Sequence, residues 1–301
     1  MTPVDHPKIS VISFCLNSGK FLRETIESVL KQTSDDYEHI IIDGGSTDNT
    51  IDILKEYSHL RWIVKKDQGD NPTLDATWEG FNMVRGEYIA ILAISDGIYD
   101  KDWFKKSAKV LDKDKQVSVV WGITQARAEN GDIIDIAWTE FLEKHPPQKM
   151  DWLSFWLSNG HGFEANAIYR KNIFEICFPK NHPDDPYRFH PAHGFNYQFN
   201  TRGYLPYFLP MISFYGYLHK GQRQEKFYDL LDSASKRYDN NRKLFRKNFL
   251  SGKVKHCFRD GSSNIIKEVT PDQLSSYKKQ VWRYRIKHKI KRDVLKFLDH
   301  I

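Results

Sequence analysis

The stretch Ile40-Ile41-Ile42-Asp43-Gly44-Gly45-Ser46-Thr47-Asp48-Asn49-Thr50 decides the fold of this chain. Its β-branched start is typical of a buried strand, and the strand ends abruptly at an aspartate and two glycines. Another short β-branched run, Ile9 to Phe14, comes before it, and apolar residues at helical spacing fill the interval between them. Strands that alternate with helices in this way predict a mostly parallel sheet with helices on both faces.

Acidic residues follow three of the predicted strands at the point where each strand ends. Asp43 ends the second strand, Asp67 follows the third, and Asp96 follows the fourth, Tyr88 to Ile94. Open α/β sheets bind ligands at the carboxyl ends of their strands. We therefore expect the three side chains to converge on one edge of the sheet. Carboxylates held there can accept hydrogen bonds from a base N–H or a ribose hydroxyl, which predicts a nucleotide site.

The order of several motifs resembles the opening of family 2 glycosyltransferases, which have the GT-A fold. The matching segments are 8–13, Asn17, 26–33, 41–50, 66–69, 75–76 and 86–90. The likeness covers residues 8 to 104 well and the next hundred loosely. It implies a Rossmann-like mixed, mostly parallel sheet flanked by helices, with a helical C-terminal extension. It also implies an inverting enzyme that moves a sugar from a nucleoside-diphosphate sugar to a hydroxyl of a glycan or lipid-linked glycan acceptor.

The resemblance assigns the donor's nucleotide to residues at the first strand ends. Acids at the positions of Asp43 and Asp67 bind the nucleotide in the family, and Asn17 belongs to the same set of motifs. The alternative for Asp43 is a purely structural role, in which its carboxylate only shapes the turn that follows it, as aspartate often does.

A divalent metal, Mn²⁺ or Mg²⁺, is also implied by the resemblance. Asp96 aligns with the residue that usually holds the metal, and Ser95 stands where the family has the first acid of a pair. Ser95 and Asp96 are also expected to contact the donor. His219 resembles a late family histidine that ligates the metal or binds phosphate. Such a metal neutralises the charge of a pyrophosphate leaving group.

The catalytic base is the least typical part of the sequence. An inverting transfer needs a group that takes the proton of the acceptor hydroxyl. The family's acidic pair at this position is replaced here by Ala192-His193. His193 is one candidate base, since an unperturbed histidine titrates near neutral pH. Asp185, Glu164 and Asp184 are the others.

The chain is divided by the resemblance into a GT-A domain, 1–222, and a helical basic extension, 223–301. Within the domain, 1–104 is the nucleotide-binding half and 105–222 the acceptor half. In the extension, 280–301 repeats apolar residues at helical spacing among many Lys and Arg, a pattern typical of helices that lie on anionic membranes. The alternative is that this stripe packs on the domain. Nucleic acid is not an expected partner.

The expected location is the cytoplasm, either free or peripheral on the inner face of a membrane. No secretory leader opens the sequence, and no apolar run reaches the roughly 18 residues of a spanning helix. The three cysteines are widely separated and do not suggest a disulfide framework.

The expected role is sugar transfer in bacterial-type polysaccharide or lipopolysaccharide biosynthesis. The alternative is a non-catalytic nucleotide- or glycan-binding member of the same fold, because acids are missing from two motifs. A dinucleotide-binding oxidoreductase is a poor match, since no G-x-G-x-x-G follows the first strand.

Overall fold

A computed structural model describes residues 6–68, 70–136, 142, 144–159, 162–163, 166–219, 228–274, 283 and 286. Its strands are β1 (Ile9–Cys15), β2 (Tyr37–Asp43), β3 (Arg61–Val64), β4 (Tyr88–Ile91), β5 (Asp96–Ile98), β6 (Val117–Ala128), β7 (Ile133–Ile136), β8 (Ile168–Arg170), β9 (Leu205–Leu218), β10 (His256–Arg259) and β11 (Ile265–Val269). Its helices are α1 (Leu22–Leu30), α2 (Thr50–Glu56), α3 (Pro72–Asn82), α4 (Trp103–Lys113), α5 (Asp151–Asn159), α6 (Lys171–Cys177), α7 (Pro191–Arg202) and α8 (Tyr228–Leu250).

The main sheet brings the carboxyl ends of the first strands to one edge. Its order is β3-β2-β1-β4-β8-β6-β9-β5, with β7 paired to β6. The strands β1 to β4 are parallel to one another, and Cys15 at the end of β1 pairs with Asp43 at the end of β2. β8 runs antiparallel between β4 and β6. This is the α/β architecture predicted from the sequence, with helices on both faces.

Both faces of the sheet are buried, which explains the continuous apolar runs in its strands. Successive side chains of a strand point to opposite faces. Ile12 packs in a cluster with Phe81 of α3 and Phe199 of α7. Its neighbour Val11 packs in another cluster with Phe104 of α4. The strand ends are therefore held rigidly between two layers of helices.

Several elements differ from the sequence-based expectation. β4 ends at Ile91, not Ile94, and Asp96 begins the separate strand β5, which pairs antiparallel with β9. The C-terminal extension holds an antiparallel hairpin, β10 and β11, in addition to its helix α8. α8 packs against α5 and α7 of the GT-A domain. The domain boundary after residue 222 lies outside the described residues and stays a prediction.

Candidate active site

A cleft of about 1230 Å³ opens at the carboxyl ends of β1, β2 and β4. We call one group of its lining residues the strand-end wall: Asn17, Gly44, Asp67, Ser95 and Asp96. We call a second group, from the starts of α7 and α8, the helical wall: His190, Pro191, Ala192, Leu231, Asp232 and Ser235. The end of β9 adds Tyr217, Leu218 and His219. The cleft therefore gathers segments from nearly the whole described chain.

Asp43 holds the loop that forms part of the strand-end wall. One oxygen of its fully buried carboxylate accepts the backbone N–H groups of Gly45 and Ser46, both at 2.9 Å. The other accepts the Ser46 hydroxyl at 2.5 Å and the weak Cys15 thiol donor at 3.4 Å. The neighbours Cys15 and Gly44 line the cleft, whereas Asp43 is not among its described lining residues. Nucleotide contact by Asp43 stays a prediction.

Asp67 lies directly against Gly44. Its backbone N–H donates to the Gly44 carbonyl at 2.9 Å, and its side chain lines the cleft. A Cβ at position 44 would come within 2.5 Å of Asp67 Oδ1, so this approach requires glycine. Burial and the nearby charges of Asp43 and Asp75 raise the pKa of Asp67. The structure thus brings together two of the predicted acids, Asp43 and Asp67.

Asn17 ties the loop after β1 to the loop after β2. Its Oδ1 accepts the backbone N–H of Thr47 at 2.8 Å, and its own N–H donates to Ser46 Oγ at 2.8 Å. The residue adopts a left-handed backbone with φ of 49°, a conformation that asparagine tolerates better than most residues. Asn17 therefore shapes the strand-end wall as well as lining it.

Ser95 is a strained residue at the edge of the cleft. Its φ of 90° is unusual for a residue with a side chain and costs roughly 1–3 kcal/mol. The Ser95 carbonyl accepts the N–H of Tyr217 at 3.0 Å, which fixes the turn against the end of β9. Strain of this kind persists where the surrounding structure enforces it and is common at functional sites.

Asp96 points into a tight space between β5 and β9. Its Oδ2 accepts the Asn166 amide at 3.0 Å. A Cβ at Gly216, the residue opposite on β9, would lie 2.6 Å from Asp96 Oδ1. Burial raises the pKa of Asp96 to about 6, and the Asn166 hydrogen bond and the charge of His219 oppose that rise. The negative charge of the Asp96 carboxylate is therefore only partly offset by its neighbours.

His219 is held beside the cleft by aromatic packing. Its ring centroid lies 4.7 Å from that of Phe21, which also stacks on Tyr217 at 5.7 Å. Glu24 on α1 accepts the hydroxyl groups of Tyr215 at 2.8 Å and Tyr217 at 2.9 Å. These contacts fasten the end of β9 to the start of α1, and so they position His219 within electrostatic reach of Asp96.

The donors Asp96 and His219 fit part of a divalent metal site. In the part of the chain that the structure describes, no group of three or more His, Cys, Asp or Glu side chains could hold a metal by itself. Mg²⁺ in nucleotide sites commonly takes one or two protein ligands and completes its shell with phosphate oxygens and water. Within the same residues, Asn166 and His219 are the side chains that act on the Asp96 carboxylate, with no Lys or Arg among them. A cation would supply the missing compensation.

Of the predicted bases, His193, Asp184 and Asp185 lie in the described chain, and none of them is among its cleft-lining residues. The ring of His193 packs against His190 at 3.6 Å and against Tyr238 of α8 at 4.5 Å. Asp185 accepts the backbone N–H groups of Tyr187 at 2.8 Å and Lys180 at 3.3 Å, as in a turn. Glu164 lies outside the described residues. The four base assignments, His193, Asp185, Glu164 and Asp184, stay predictions.

Two residues of the cleft were missed by the sequence reasoning. Asn166 reaches Asp96 from a segment 70 positions away, and no local pattern indicates that contact. Asp232 lies on α8, in the part of the chain assigned to the extension. The helical spacing of Leu231, Ser235 and Tyr238 indicates that this face of α8 is packed against another part of the protein, but it does not indicate which part.

Membrane contact is not tested by the described residues. Within them, no helix combines the length and apolar character required to cross a bilayer. The predicted amphipathic segment 280–301 lies outside the described residues except for Arg283 and Ile286, both exposed.

Comparison with known proteins identifies the family. The family model for glycosyl transferase family 2 matches residues 10–178, more than half of the chain, so the protein belongs to glycosyltransferase family 2. A Mycobacterium bovis protein named PGL/p-HBAD biosynthesis glycosyltransferase is 29% identical over 127 residues. That match covers 41% of this chain and 49% of the relative, so the chain spans about half the length of that protein.

The GT-A fold is shared with solved structures of S. aureus TarS. Residues 1–349 of TarS in complex with UDP-GlcNAc match with a TM-score of 0.53 and 20% identity, covering 82% of this chain and 76% of that one. The complex with UDP matches with a TM-score of 0.51 and 19% identity, covering 81% and 72%. At this identity the likeness establishes the fold.

Proposed function

We propose that the protein is an inverting glycosyltransferase that moves a sugar from a nucleoside-diphosphate sugar to a hydroxyl of a glycan or lipid-linked glycan. The cleft carries the proposal: Asn17, Asp67, Asp96 and His219 meet at the strand ends of a family 2 fold. Its volume suits a large ligand, such as a nucleotide sugar with part of an acceptor.

The donor's nucleotide is assigned to the strand-end wall. Asp67 presents acceptor oxygens there, Asn17 lines the same wall, and Asn17 and Asp43 both hold the adjacent loop. Ser95 and Asp96 are proposed to contact the same donor farther along the wall. TarS, which shares the fold, was crystallised with UDP-GlcNAc and with UDP. That makes uridine the first base to test.

Mn²⁺ or Mg²⁺ is proposed to be held by Asp96 and His219 together with donor phosphate oxygens. When bound, the cation supplies positive charge that neutralises the leaving diphosphate. Asn166 orients Asp96 through its 3.0 Å hydrogen bond, and Phe21 supports the His219 ring. The protein's own task at this site is thus to hold two ligands in place.

Inversion requires the acceptor hydroxyl to attack the sugar's anomeric carbon from the face opposite the diphosphate. A base takes the hydroxyl proton as the new bond forms. The sequence suggests His193, Asp185, Glu164 and Asp184 for this role. A side-chain movement would have to bring His193 or Asp185 into the cleft from the positions described above.

A role in bacterial-type polysaccharide or lipopolysaccharide biosynthesis is proposed from the relatives, one of which is named for PGL/p-HBAD biosynthesis.

Residues 280–301 are proposed to hold the protein on the anionic cytosolic face of a membrane. Truncation before Gln280 should lower binding to phosphatidylserine vesicles, because each Lys or Arg near such a surface contributes about 1 kcal/mol. Unchanged binding would remove the membrane proposal. No nucleic acid partner is proposed.

Calorimetric titration with UDP tests the donor assignment. We expect UDP to bind and Mn²⁺ or Mg²⁺ to strengthen the binding, because the cation compensates both Asp96 and the diphosphate. GDP is the matched comparison that changes the base alone, and dTDP changes the base and also replaces ribose by 2′-deoxyribose. If none of the three nucleotides binds, the donor assignment is wrong.

A non-catalytic nucleotide- or glycan-binding protein of the same fold is the second candidate function. The start of α7 favours it, because Ala192 lines the cleft there and the His193 ring packs against Tyr238. This candidate predicts that UDP binds but that no UDP-sugar is ever turned over.

A further inference from the structure

Helix α8 contributes a carboxylate to the cleft. Leu231, Asp232 and Ser235 line the cavity at the start of this helix. The face that carries Leu231 and Ser235 continues through Tyr238 and Arg242, which are buried against the domain. Residues at these three- and four-residue intervals share one side of a helix. The cleft-lining residues are therefore on the packed side of α8.

Specific hydrogen bonds fix α8 in position. The Trp156 indole N–H donates to the Tyr238 hydroxyl at 2.6 Å, and both side chains are buried. The Arg242 guanidinium donates to the Leu157 carbonyl at 2.9 Å. Asp232 is only six residues before Tyr238 in the same helix, so these bonds also hold the Asp232 backbone in place relative to the cleft.

Asp232 differs from the other acids in the cleft by its location. Among the described lining residues, the carboxylates are those of Asp67, Asp96 and Asp232. The first two belong to the strand-end wall, where the nucleotide and metal are proposed to bind. Asp232 belongs to the helical wall, together with His190 and the start of α7. An acceptor hydroxyl needs a base on the side of the sugar away from the diphosphate. Among the described residues that line the cleft, Asp232 is the carboxylate outside the strand-end wall.

The Asp232 side chain is accessible and oriented. It is 39% exposed, and its Oδ2 lies 2.6 Å from the Lys236 ammonium one helical turn away. An exposed pair of this kind contributes little to stability. Its geometric consequence is that Oδ2 of the Asp232 carboxylate is directed along the helix toward Lys236.

We propose that Asp232 is the catalytic base, an assignment that rests on the proposed glycosyl transfer. The acceptor hydroxyl gives its proton to the Asp232 carboxylate, and its oxygen forms a bond to the anomeric carbon. The bond between that carbon and the diphosphate oxygen breaks, and its electron pair leaves with the nucleoside diphosphate. The helical wall thereby supplies the acid that the α7 motif lacks.

The test compares Asp232→Asn with matched variants of the same helix. Asp229→Asn removes an exposed carboxylate that is not among the described cleft residues, and Lys236→Met removes the ion-pair partner while keeping Asp232. UDP release is measured with UDP-glucose, UDP-galactose and UDP-N-acetylglucosamine, using water as the simplest hydroxyl acceptor. UDP affinity and thermal unfolding are measured for each variant.

We expect Asp232→Asn to slow UDP release by about 10²–10⁴-fold, the usual contribution of a positioned base, with UDP affinity and unfolding unchanged. Asp232→Glu should recover part of the rate, and Asp229→Asn should match the wild type. Full activity of Asp232→Asn would overturn the assignment, as would an equal loss in Lys236→Met, which would indicate a role for the ion pair alone. Loss of activity in His193→Ala or Asp185→Asn, with Asp232→Asn active, would return the base to the sequence-based candidates.

Failure of the proposed function has a different signature. A wild-type protein that does not bind UDP would contradict the donor assignment and the base with it. A wild-type protein that binds UDP but releases none from any of the three donors would support the non-catalytic candidate and overturn the assignment of Asp232.

Discussion

The strand-end wall and the helical wall face the same cleft but are held together differently. In the strand-end wall, loops after neighbouring strands are joined by hydrogen bonds, from the Thr47 N–H to Asn17 Oδ1 and from the Asn17 N–H to Ser46 Oγ. In the helical wall, α8 is fixed by a contact between Trp156 and Tyr238, 82 positions apart. The first wall follows from the sheet itself, whereas the second depends on how a later helix docks.

The largest expected effect concerns Asp96 as a ligand. Asp96→Ala should abolish the gain in UDP affinity that Mn²⁺ is expected to give the wild type, because the proposed metal site would lose one of its two protein donors. Altering only the partners that support a ligand typically costs 10–100-fold in metal affinity, so loss of the ligand should cost at least about 100-fold. Calorimetry with and without Mn²⁺ measures it. Asp52→Ala, on the exposed side of α2, is the control. An unchanged Mn²⁺ effect would place the metal elsewhere.

The second prediction uses the raised pKa of Asp96. Its folded value of about 6 exceeds the ordinary 3.8, so folding favours the protonated acid. That stabilisation is complete below pH 3.8 and is lost as pH rises through 6. In the absence of divalent cations, Asp96→Asn should therefore be more stable than the wild type at pH 7.5, and the two should converge near pH 4.

The shift corresponds to about 3 kcal/mol, and residual water contact in the cleft should reduce the measured gain to about 1–3 kcal/mol. Denaturant unfolding at both pH values measures it, with Asp52→Asn as the control. Equal stabilities at pH 7.5 would show that the Asp96 charge is already compensated in the free protein, which would weaken the case for a cation there.

The smallest expected effect concerns the helical wall. Tyr238→Phe removes the acceptor of the buried Trp156 N–H and should lower the free energy of unfolding by about 1–2 kcal/mol. If α8 positions a catalytic group, turnover should fall while UDP affinity stays unchanged, because the strand-end wall is untouched. Tyr99→Phe, which removes a hydroxyl from an exposed tyrosine, is the matched control. A parallel loss of UDP affinity would mean that the two walls are coupled.

The strand-end wall could largely be located from the sequence. β-branched runs predicted β1 and β2 closely, and the acids at their ends were expected to converge. The structure does bring Asp43 beside Asp67. The structure also shows that Asp43 shapes the turn that follows it, because its carboxylate accepts hydrogen bonds from Gly45 and Ser46 in the same loop. Nucleotide contact by Asp43 stays a prediction.

The base and its surroundings could not be located in the same way. The alignment of motifs directed attention to His193, whose ring packs on Tyr238, and away from Asp232. Both facts depend on the docking of α8. A helical pattern shows that one face must be covered, and it leaves the covering surface unspecified.

The sequence by itself determined the family, the alternation of strands and helices over the first hundred residues, and the edge of the sheet at which the acids gather. The family follows from the resemblance of ordered motifs, and the other two follow from periodicity and turn chemistry, which act between residues close in the chain. Only the tertiary structure decided that Asn166 and Gly216 enclose Asp96, and that Asp232 enters the cleft. Such contacts join segments tens of residues apart, and packing between whole elements selects them, so no local pattern records them.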